Sequence, residues 1–392
     1  MRDRRKKLDS IDDSILTLLS QRMRLAREVA LVKKAGGARL RDRTREARLL
    51  ARLNDRAAAE GLPADAVLRV FQEILNLSFH EQIAGVTGPR PGAARVKVAY
   101  QGVPGAYSQW AAERLLSARR VHADTKGLRS FQAVARAVTE ERVRYGILPV
   151  ENTLAGSINE TYDLLLRHSL FIVGEEALPI DHCLAATGRV PLHQIRRIYS
   201  HPQALAQCSD FLLQLTGAEV HSYFDTAAAM QKVASDGDPA AAAIAGVHAA
   251  QRYGLTVLKR DIANRGENLT RFLLVARERE EVPAGVAAKT SLIMAVKHEA
   301  GSLLAALKVL HDHKVNMTKL ESRPRPGAPW QYYFYVDFEG NQKDKNIALM
   351  LKGLKRNCRE LRVLGSYVSR TVPEGRPVSP AEIARQKRRP SK

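Results

Sequence analysis

The stretch YGILPVENTLAGSI, Tyr145–Ile158, passes from a short apolar run through a polar cluster to a helix start. It sets the reading of everything around it. Similar runs recur at Val96–Tyr100, Phe171–Leu178, Arg197–Ser200, Val220–Phe224, Ala241–Ala245 and Phe272–Ala276, and are read with Tyr145–Val150 as strands. Helices fit between them from Ser108, Ser130, Ile158, Pro202, Thr226 and Val247. That alternation predicts α/β architecture with largely parallel sheets over residues 95–278. Polar strings sit where strand hands over to helix: QGVPGAYS (Gln101–Ser108), ENTLAGSI (Glu151–Ile158) and SHPQ (Ser200–Gln203). A fourth, NLTRF (Asn268–Phe272), enters a late strand. Strand C-termini are where open α/β sheets place ligands. Ser108 can cap a helix N-terminus, where anions bind well, and the glycines permit close backbone approach. Taken singly, each string is equally an ordinary cap, turn or structural charge.

Both flanks differ from this texture. Residues 1–84 read as helix, with Leu8, Ile11, Ile15, Leu18, Leu25, Val29 and Val32 forming one apolar seam. Gly36-Gly37 and Gly61-Leu62-Pro63 divide the segment into three helices, the second from about Arg41 to Glu60 and the third through Gln82. Three such helices bury little alone, so a helical dimer is expected. Gly85–Ala94 (GVTGPRPGAA) is a Gly/Pro linker that follows an N-terminal domain of residues 1–86. After a second joint at Arg277–Ala288, residues 288–370 read strand, helix, strand, strand, helix, strand, the βαββαβ order of a ferredoxin-like plait. Residues 371–392 form a polar, basic tail expected to be disordered.

The 392 residues exceed what one core supports. The net charge is +21, yet aromatics are only 6% and the basic residues are spread, which argues against a nucleic-acid surface. Three separated cysteines, Cys183, Cys208 and Cys358, suit free thiols in a reducing compartment. With a charged N-terminus and no apolar stretch of spanning length, a cytoplasmic protein without a membrane partner is expected. No metal or cofactor is expected either.

Within the helical segment, Arg22 interrupts the seam between Leu18 and Leu25. A buried guanidinium without a partner costs several kcal/mol, so an anion is expected beside it. Lys33 follows about three turns later near the same face. Asp42, Arg45 and Glu46 share one face of the second helix, and Ser78 and Gln82 share one of the third. Spacing alone also describes solvated faces and surface ion pairs. Residues 5–82 nevertheless resemble the all-helical chorismate mutase family at Arg5, Arg22, Lys33, Asp42, Arg45, Glu46, Ser78 and Gln82, spacing included. The resemblance implies a dimer in which Arg5 reaches across to the other protomer. Arg5 and Arg22 would clamp two carboxylates with help from Ser78, while Lys33 and Gln82 donate to the ether oxygen. Glu46 would accept from the ring hydroxyl, with Asp42 and Arg45 supporting that end. Such a site needs no nucleophile, because holding chorismate in its reactive shape and stabilising ether-oxygen charge are what help.

Residues 95–278 resemble the prephenate dehydratase family in the Glu-Asn-Thr, His-Pro-Gln and Thr-Arg-Phe runs, in order and suitably spaced. This implies two α/β lobes of the periplasmic-binding type with the site between them. It makes Thr270 the catalytic hydroxyl near the departing oxygen, with Asn152 and Gln203 positioning the ring and leaving group. His201 belongs to the same run. Arg271 is a candidate for one substrate carboxylate, Ser108 and Thr153 for the other, and Glu151 for orienting its neighbours. The forms GVPG and SHPQALAQC look closer to the arogenate dehydratase branch, so prephenate and arogenate both stand as substrates; a fused mutase favours prephenate.

The plait resembles an ACT regulatory domain. Gly301-Ser302-Leu303-Leu304 and Glu321-Ser322-Arg323-Pro324 look like the two phenylalanine-binding motifs of this enzyme family. A plain dimerisation plait would show the same fold. Taken together, residues 5–370 resemble the bifunctional chorismate mutase/prephenate dehydratases. Chorismate and prephenate are then the substrates, phenylalanine the effector, and a homodimer or higher homo-oligomer the assembly. A nucleic-acid-binding protein and a small-ligand binding module are the alternatives of other classes.

Overall fold

The computed structural model describes residues 2–35, 43–87, 95–119, 121–265, 268–282 and 288–368. Asp42, the side chain of Lys33, the Gly36-Gly37 break and residues 371–392 lie outside the described residues.

The N-terminal unit consists of α1 (Arg2–Ala35), α2 (Arg43–Ala59) and α3 (Ala64–Thr87), with α1 and α2 each packed on α3. The third helix runs on past Gln82 to Thr87, five residues beyond the expected end. Gly85 costs such a helix only about 1 kcal/mol, and the first proline comes at Pro89. Among the described residues, little is buried here beyond Met23, Ala26, Ala30, Ala57 and Ser78. The seam residues remain exposed, Leu18 at 62% and Val32 at 73%.

The next unit has two lobes. The first holds β1 (Val96–Gln101), α4 (Tyr107–Ser117), β2 (Ala123–Leu128), α5 (Phe131–Thr139), β3 (Tyr145–Asn152), β4 (Gly156–Ser157), α6 (Asn159–Arg167) and β5 (Phe171–Pro179). The chain then crosses into β6 (His182–Ala186), β7 (Arg197–Ser200), α7 (Pro202–Gln207), α8 (Ser209–Leu212), β8 (Glu219–Ser222), α9 (Thr226–Asp236), β9 (Ala241–Gly246), α10 (Val247–Arg252) and β10 (Thr256–Lys259). It returns as β11 (Leu269–Ala276) to the centre of the first sheet. Both sheets follow one plan, β2-β1-β3-β11-β5 and β8-β7-β9-β6-β10. Three parallel strands come first, and then an antiparallel strand that has just crossed from the other lobe. Pairing is therefore mixed rather than largely parallel, because β6 and β11 enter their sheets from the hinge. The three-strand part reverses its order at β1 and β3, and at β7 and β9, and strand C-termini at such a switch point form a crevice.

The C-terminal unit runs β12 (Ala288–Val296), α11 (Ser302–Asp312), β13 (Met317–Pro324), β14 (Tyr332–Glu339), α12 (Lys345–Asn357) and β15 (Cys358–Val368). Its sheet order is β13-β14-β12-β15, antiparallel throughout. Ile293, Tyr335, Leu364 and Tyr367 share a core with Tyr162, Leu165, Leu170, Ile172 and Leu273 of the first lobe. At Gly365, with φ +154, a Cβ would overlap the Ile172 carbonyl oxygen, so only glycine lets β15 lie this close to β5. Among the described residues, no helix is long and apolar enough to cross a membrane.

Candidate active sites

In the helical unit, Arg22 of α1 turns toward α3. Its Nη1 donates to the Ile74 carbonyl at 3.1 Å and to Ser78 Oγ, while Ser78 donates to the same carbonyl at 2.8 Å. Burial lowers the Arg22 pKa from its ordinary value, and the nearby Glu46 carboxylate works in the opposite direction. One turn on from Ser78, Gln82 keeps a buried amide oxygen with no hydrogen-bond partner among the described residues. A buried polar atom of this kind costs free energy unless a ligand or water meets it. Arg22, Ser78 and Glu46 thus come together from three helices, with Gln82 beside them. Arg5 is exposed and does not join them. It lies seventeen residues from Arg22 on one helix, about 25 Å away. The sequence reading missed the Arg27–Glu81 ion pair at 2.5 Å, which clamps α1 to α3.

Between the two lobes lies a cavity of about 390 Å³ whose walls include Ser108, Asn152, His201, Gln203 and Thr270. The fold explains their convergence. Gln101 ends β1, Asn152 ends β3, and His201 follows β7, so strand C-termini of both lobes face one gap. Thr270 lies directly across from Asn152 in the β11–β3 register. Asn152 Oδ1 accepts from the Leu154 and Ala155 N–H groups at 3.0 and 2.9 Å. Its Nδ2 donates to Thr270 Oγ1 at 2.9 Å. His201 Nδ1 caps α7 by accepting from Gln203 N at 3.2 Å, and burial holds its pKa below the ordinary histidine value. Asp225 caps α9 through Ala227 N at 2.7 Å, and burial raises its pKa.

Arg271 and Thr153, expected on the substrate carboxylates, and Glu151, expected to orient its neighbours there, do not line this cavity. Successive residues of a strand point to opposite faces, so a strand that aims Thr270 into the cleft aims Arg271 away from it. Arg271 faces the C-terminal unit. Its guanidinium pairs with Glu175 at 2.8 Å, Asp337 at 2.6 Å and Glu151 at 3.2 Å, and donates to the Tyr367 hydroxyl at 3.0 Å. Burial opposes its charge, but the surrounding carboxylates outweigh burial and hold its pKa well above the ordinary value. Glu151 also bonds Lys319 Nζ at 2.5 Å. Burial works against its ionisation, yet Arg271 and Lys319 bring its pKa below the ordinary value. Thr153 Oγ1 accepts from Leu269 N at 2.9 Å and so belongs to the backbone pairing. Arg129 is the single Lys or Arg side chain on the described cavity wall. It directly precedes the α5 cap Ser130 and shares the cavity wall with Tyr107 and Ser108 at the start of α4. Sequence reasoning missed it, along with His182, Gln207 and Asn268; the last two lie within or beside the strings read as motifs.

A second cavity of about 400 Å³ in the C-terminal unit is lined by Gly301, Ser302, Leu303 and Leu304 with Trp330 and Tyr332. Glu321, Ser322, Arg323 and Pro324 do not line it. Glu321 instead accepts from Ser157 Oγ, and Arg323 pairs with Asp163 of α6 at 3.0 Å.

The comparisons with known proteins follow these divisions. The chorismate mutase type II family matches residues 4–83, and the prephenate dehydratase family matches residues 98–280. A bifunctional chorismate mutase/prephenate dehydratase of Enterobacter agglomerans is 40% identical over 377 residues, covering 95% of this chain and 97% of that protein. Two solved structures are similar in fold. A prephenate dehydratase from Arthrobacter aurescens in complex with L-Phe is 28% identical with a TM-score of 0.64, covering 74% of this chain and 97% of that one. GqqA, described as a novel type of quorum quenching acylase, is 33% identical with a TM-score of 0.63, covering 70% of this chain and 98% of that one. The chain belongs to the bifunctional chorismate mutase/prephenate dehydratase family.

Proposed function

We propose that the helical unit rearranges chorismate to prephenate and that the cleft converts prephenate to phenylpyruvate, with phenylalanine acting through the C-terminal unit as an ACT domain. The observation that carries the second activity is the Asn152 amide nitrogen placed 2.9 Å from Thr270 Oγ1. It explains how an ordinary alcohol is set to act. With its oxygen accepting from an amide, the Thr270 hydroxyl proton is free to point into the cleft, and accepting one hydrogen bond strengthens its own as a donor.

Prephenate loses its ring carboxylate as carbon dioxide. The electron pair of that broken bond moves into the ring, the ring C–O bond breaks, and the departing hydroxide takes a proton to leave as water. Thr270 supplies the hydrogen bond to that oxygen, and solvent supplies the one proton consumed overall. His201 and Gln203 hold the ring end, and Asn152, its amide already committed to the Leu154 and Ala155 N–H groups and to Thr270, sets the Thr270 hydroxyl. Arg129, Ser108 and the amides at the starts of α4 and α5 take the retained carboxylate, since Arg271 faces the other way.

In the mutase, Arg22 and Ser78 take one carboxylate, Gln82 and Lys33 the ether oxygen, and Glu46 the ring hydroxyl, with Arg45 and Asp42 beside it. The second carboxylate needs Arg5 of another copy, because one helix holds Arg5 and Arg22 too far apart to grip one small molecule. The exposed seam gives that copy its surface. Arg22→Ala is therefore expected to lower mutase kcat/KM by at least about a hundredfold, a loss of about 3 kcal/mol for a desolvated charge-assisted contact. A change below about threefold would remove Arg22 from the site. Gln82 is neutral at every pH, so mutase activity is expected to persist from pH 6 to 8; collapse above about pH 6 would mean a carboxylic acid donates there instead.

The cavity beside Gly301–Leu304 takes the effector. Replacing Leu304, 71% exposed at its rim, with aspartate is expected to abolish phenylalanine binding in calorimetry; retained affinity would place the effector elsewhere. The overall test is an ultraviolet assay of the purified chain with chorismate, prephenate and arogenate in turn, with and without phenylalanine. Phenylpyruvate from prephenate, inhibited by phenylalanine, supports the reading. Faster phenylalanine formation from arogenate would reassign the second substrate, and no turnover of any of the three would overturn the enzyme assignment.

A further inference from the structure

Asn268, Gln207 and His182 stand around Thr270 and Asn152 and have been given no role so far. Asn268 is 4% exposed and His182 3%, so their polar groups must be met within the protein. Their hydrogen bonds form a chain whose direction the backbone fixes at one end. Asn152 Oδ1 is held by the Leu154 and Ala155 N–H groups, so its nitrogen has to face the other way. That nitrogen donates to Asn268 Oδ1 at 2.6 Å and to Thr270 Oγ1 at 2.9 Å, with the Leu269 carbonyl a longer, shared acceptor at 3.2 Å. With its oxygen so engaged, Asn268 presents its own Nδ2 to Gln207 Oε1 at 3.1 Å. The same Gln207 oxygen lies 2.9 Å from His182 Nε2. An oxygen only accepts, so His182 carries its proton on Nε2 and leaves Nδ1 bare; that nitrogen is buried and has no partner among the described residues. Every orientation follows from the one before it, and no member can flip without losing a bond.

The chain also spans the hinge. Thr270 and Asn152 belong to the first lobe, Gln207 and His182 to the second, and Asn268 to the connection between them. The two hinge connections pair with each other through Ile180 N and the Asn268 carbonyl at 2.8 Å. We infer that Asn268 and His182 are positioning residues for the dehydration, which fix the Asn152 amide on Thr270 and, through Gln207, tie the direction of the Thr270 hydroxyl to the second lobe. The inference rests on Thr270 being the hydrogen donor. It assigns Asn268 no contact with substrate. Its effect is on the geometry of the donor, where a small misplacement is costly.

The test compares the full chain with its Asn268→Asp and Thr270→Val variants. In Asn268→Asp the carboxylate still accepts from Asn152 but no longer donates to Gln207. Gln207 must then turn its nitrogen toward the carboxylate, and His182 Nε2, facing that nitrogen, must become an acceptor. Nitrogen-15 NMR of histidine-labelled protein should therefore show His182 protonated at Nε2 in the unaltered chain and at Nδ1 in Asn268→Asp. Prephenate kcat should fall at least about tenfold, with KM within about threefold. A mere loss of packing would not move the imidazole proton. His182 protonated at Nδ1 in the unaltered chain would overturn the inference, as would Asn268→Asp turning prephenate over within about twofold of normal. If Thr270→Val alone turns over normally, the assignment of Thr270 falls and this inference with it. If Thr270→Val is inactive while Asn268→Asp is unaffected, only this inference falls.

Discussion

Thr270→Val is expected to reduce prephenate turnover by about three orders of magnitude, within the range seen when a positioned proton donor is removed. Valine keeps the shape of threonine and removes only the hydroxyl. The loss has two parts. The leaving oxygen loses its hydrogen bond, and Asn152 Nδ2, in a site where Asn152 is 6% exposed, must shift from Thr270 Oγ1 to the Leu269 carbonyl at 3.2 Å. That longer bond replaces a shorter one, so the amide is disturbed only slightly and the lost bond to the leaving oxygen is the main part. Thr270→Ser keeps the hydroxyl and should recover most of the rate. The chorismate rearrangement, run by another unit of the same polypeptide, should be unchanged in both variants and checks the sample directly. Phenylpyruvate formation and chorismate loss, followed separately by absorbance, decide the matter. Turnover by Thr270→Val within about tenfold of normal would mean that another group protonates the leaving hydroxide.

The sequence was most legible where burial on both faces produced apolar runs, as in β3, β9 and the Phe272–Ala276 part of β11. It was least legible at β2, whose residues ADTKGL alternate between half-buried and exposed positions at the sheet edge and carry little apolar signal. The short β6 and β10 were missed too, because HCLAA and TVLK are no longer than ordinary loops. Asn152, His201, Gln203 and Thr270 could be found because polar residues at a strand end interrupt the apolar pattern. Arg271 was misplaced although a signal was available. Thr270 and Arg271 are neighbours in one strand and cannot both face one cleft, and the same alternation separates Asn152 from Glu151. What no local reading supplies is the set of partners. Glu175 and Asp337 lie 96 and 66 residues from Arg271 in sequence. The apolar seam of α1 was equally plain in sequence, but an exposed stripe does not say what covers it.

The Arg271 network should also dominate the stability of the dehydratase unit, and Arg271→Met is expected to cost about 3–5 kcal/mol. Two opposed terms decide the magnitude. Bringing a guanidinium and three carboxylates out of water is costly, so the intact cluster need not exceed a well-packed apolar core in stability. Removing the cation alone is different, because the carboxylates stay behind. Glu175, whose side chain is 0% exposed, would keep Lys289 at 3.0 Å but lose the guanidinium at 2.8 Å. Asp337 would keep the Ser291 hydroxyl at 2.5 Å, and Glu151 would keep Lys319. For a unit of this size each kcal/mol moves the melting temperature by about 2–4 °C, so a drop of about 6–20 °C is expected. Arg271→Lys restores charge without the planar fork that reaches several carboxylates at once, and should fall between. The double variant Arg271→Met with Asp337→Leu removes one of the stranded charges. It should be more stable than the sum of the single losses by about 1–3 kcal/mol, the coupling expected of groups in direct contact. Strict additivity, or a melting temperature for Arg271→Met within about 3 °C of normal, would show that the ions are solvated and that Arg271 does not hold the C-terminal unit against the sheet bearing Thr270.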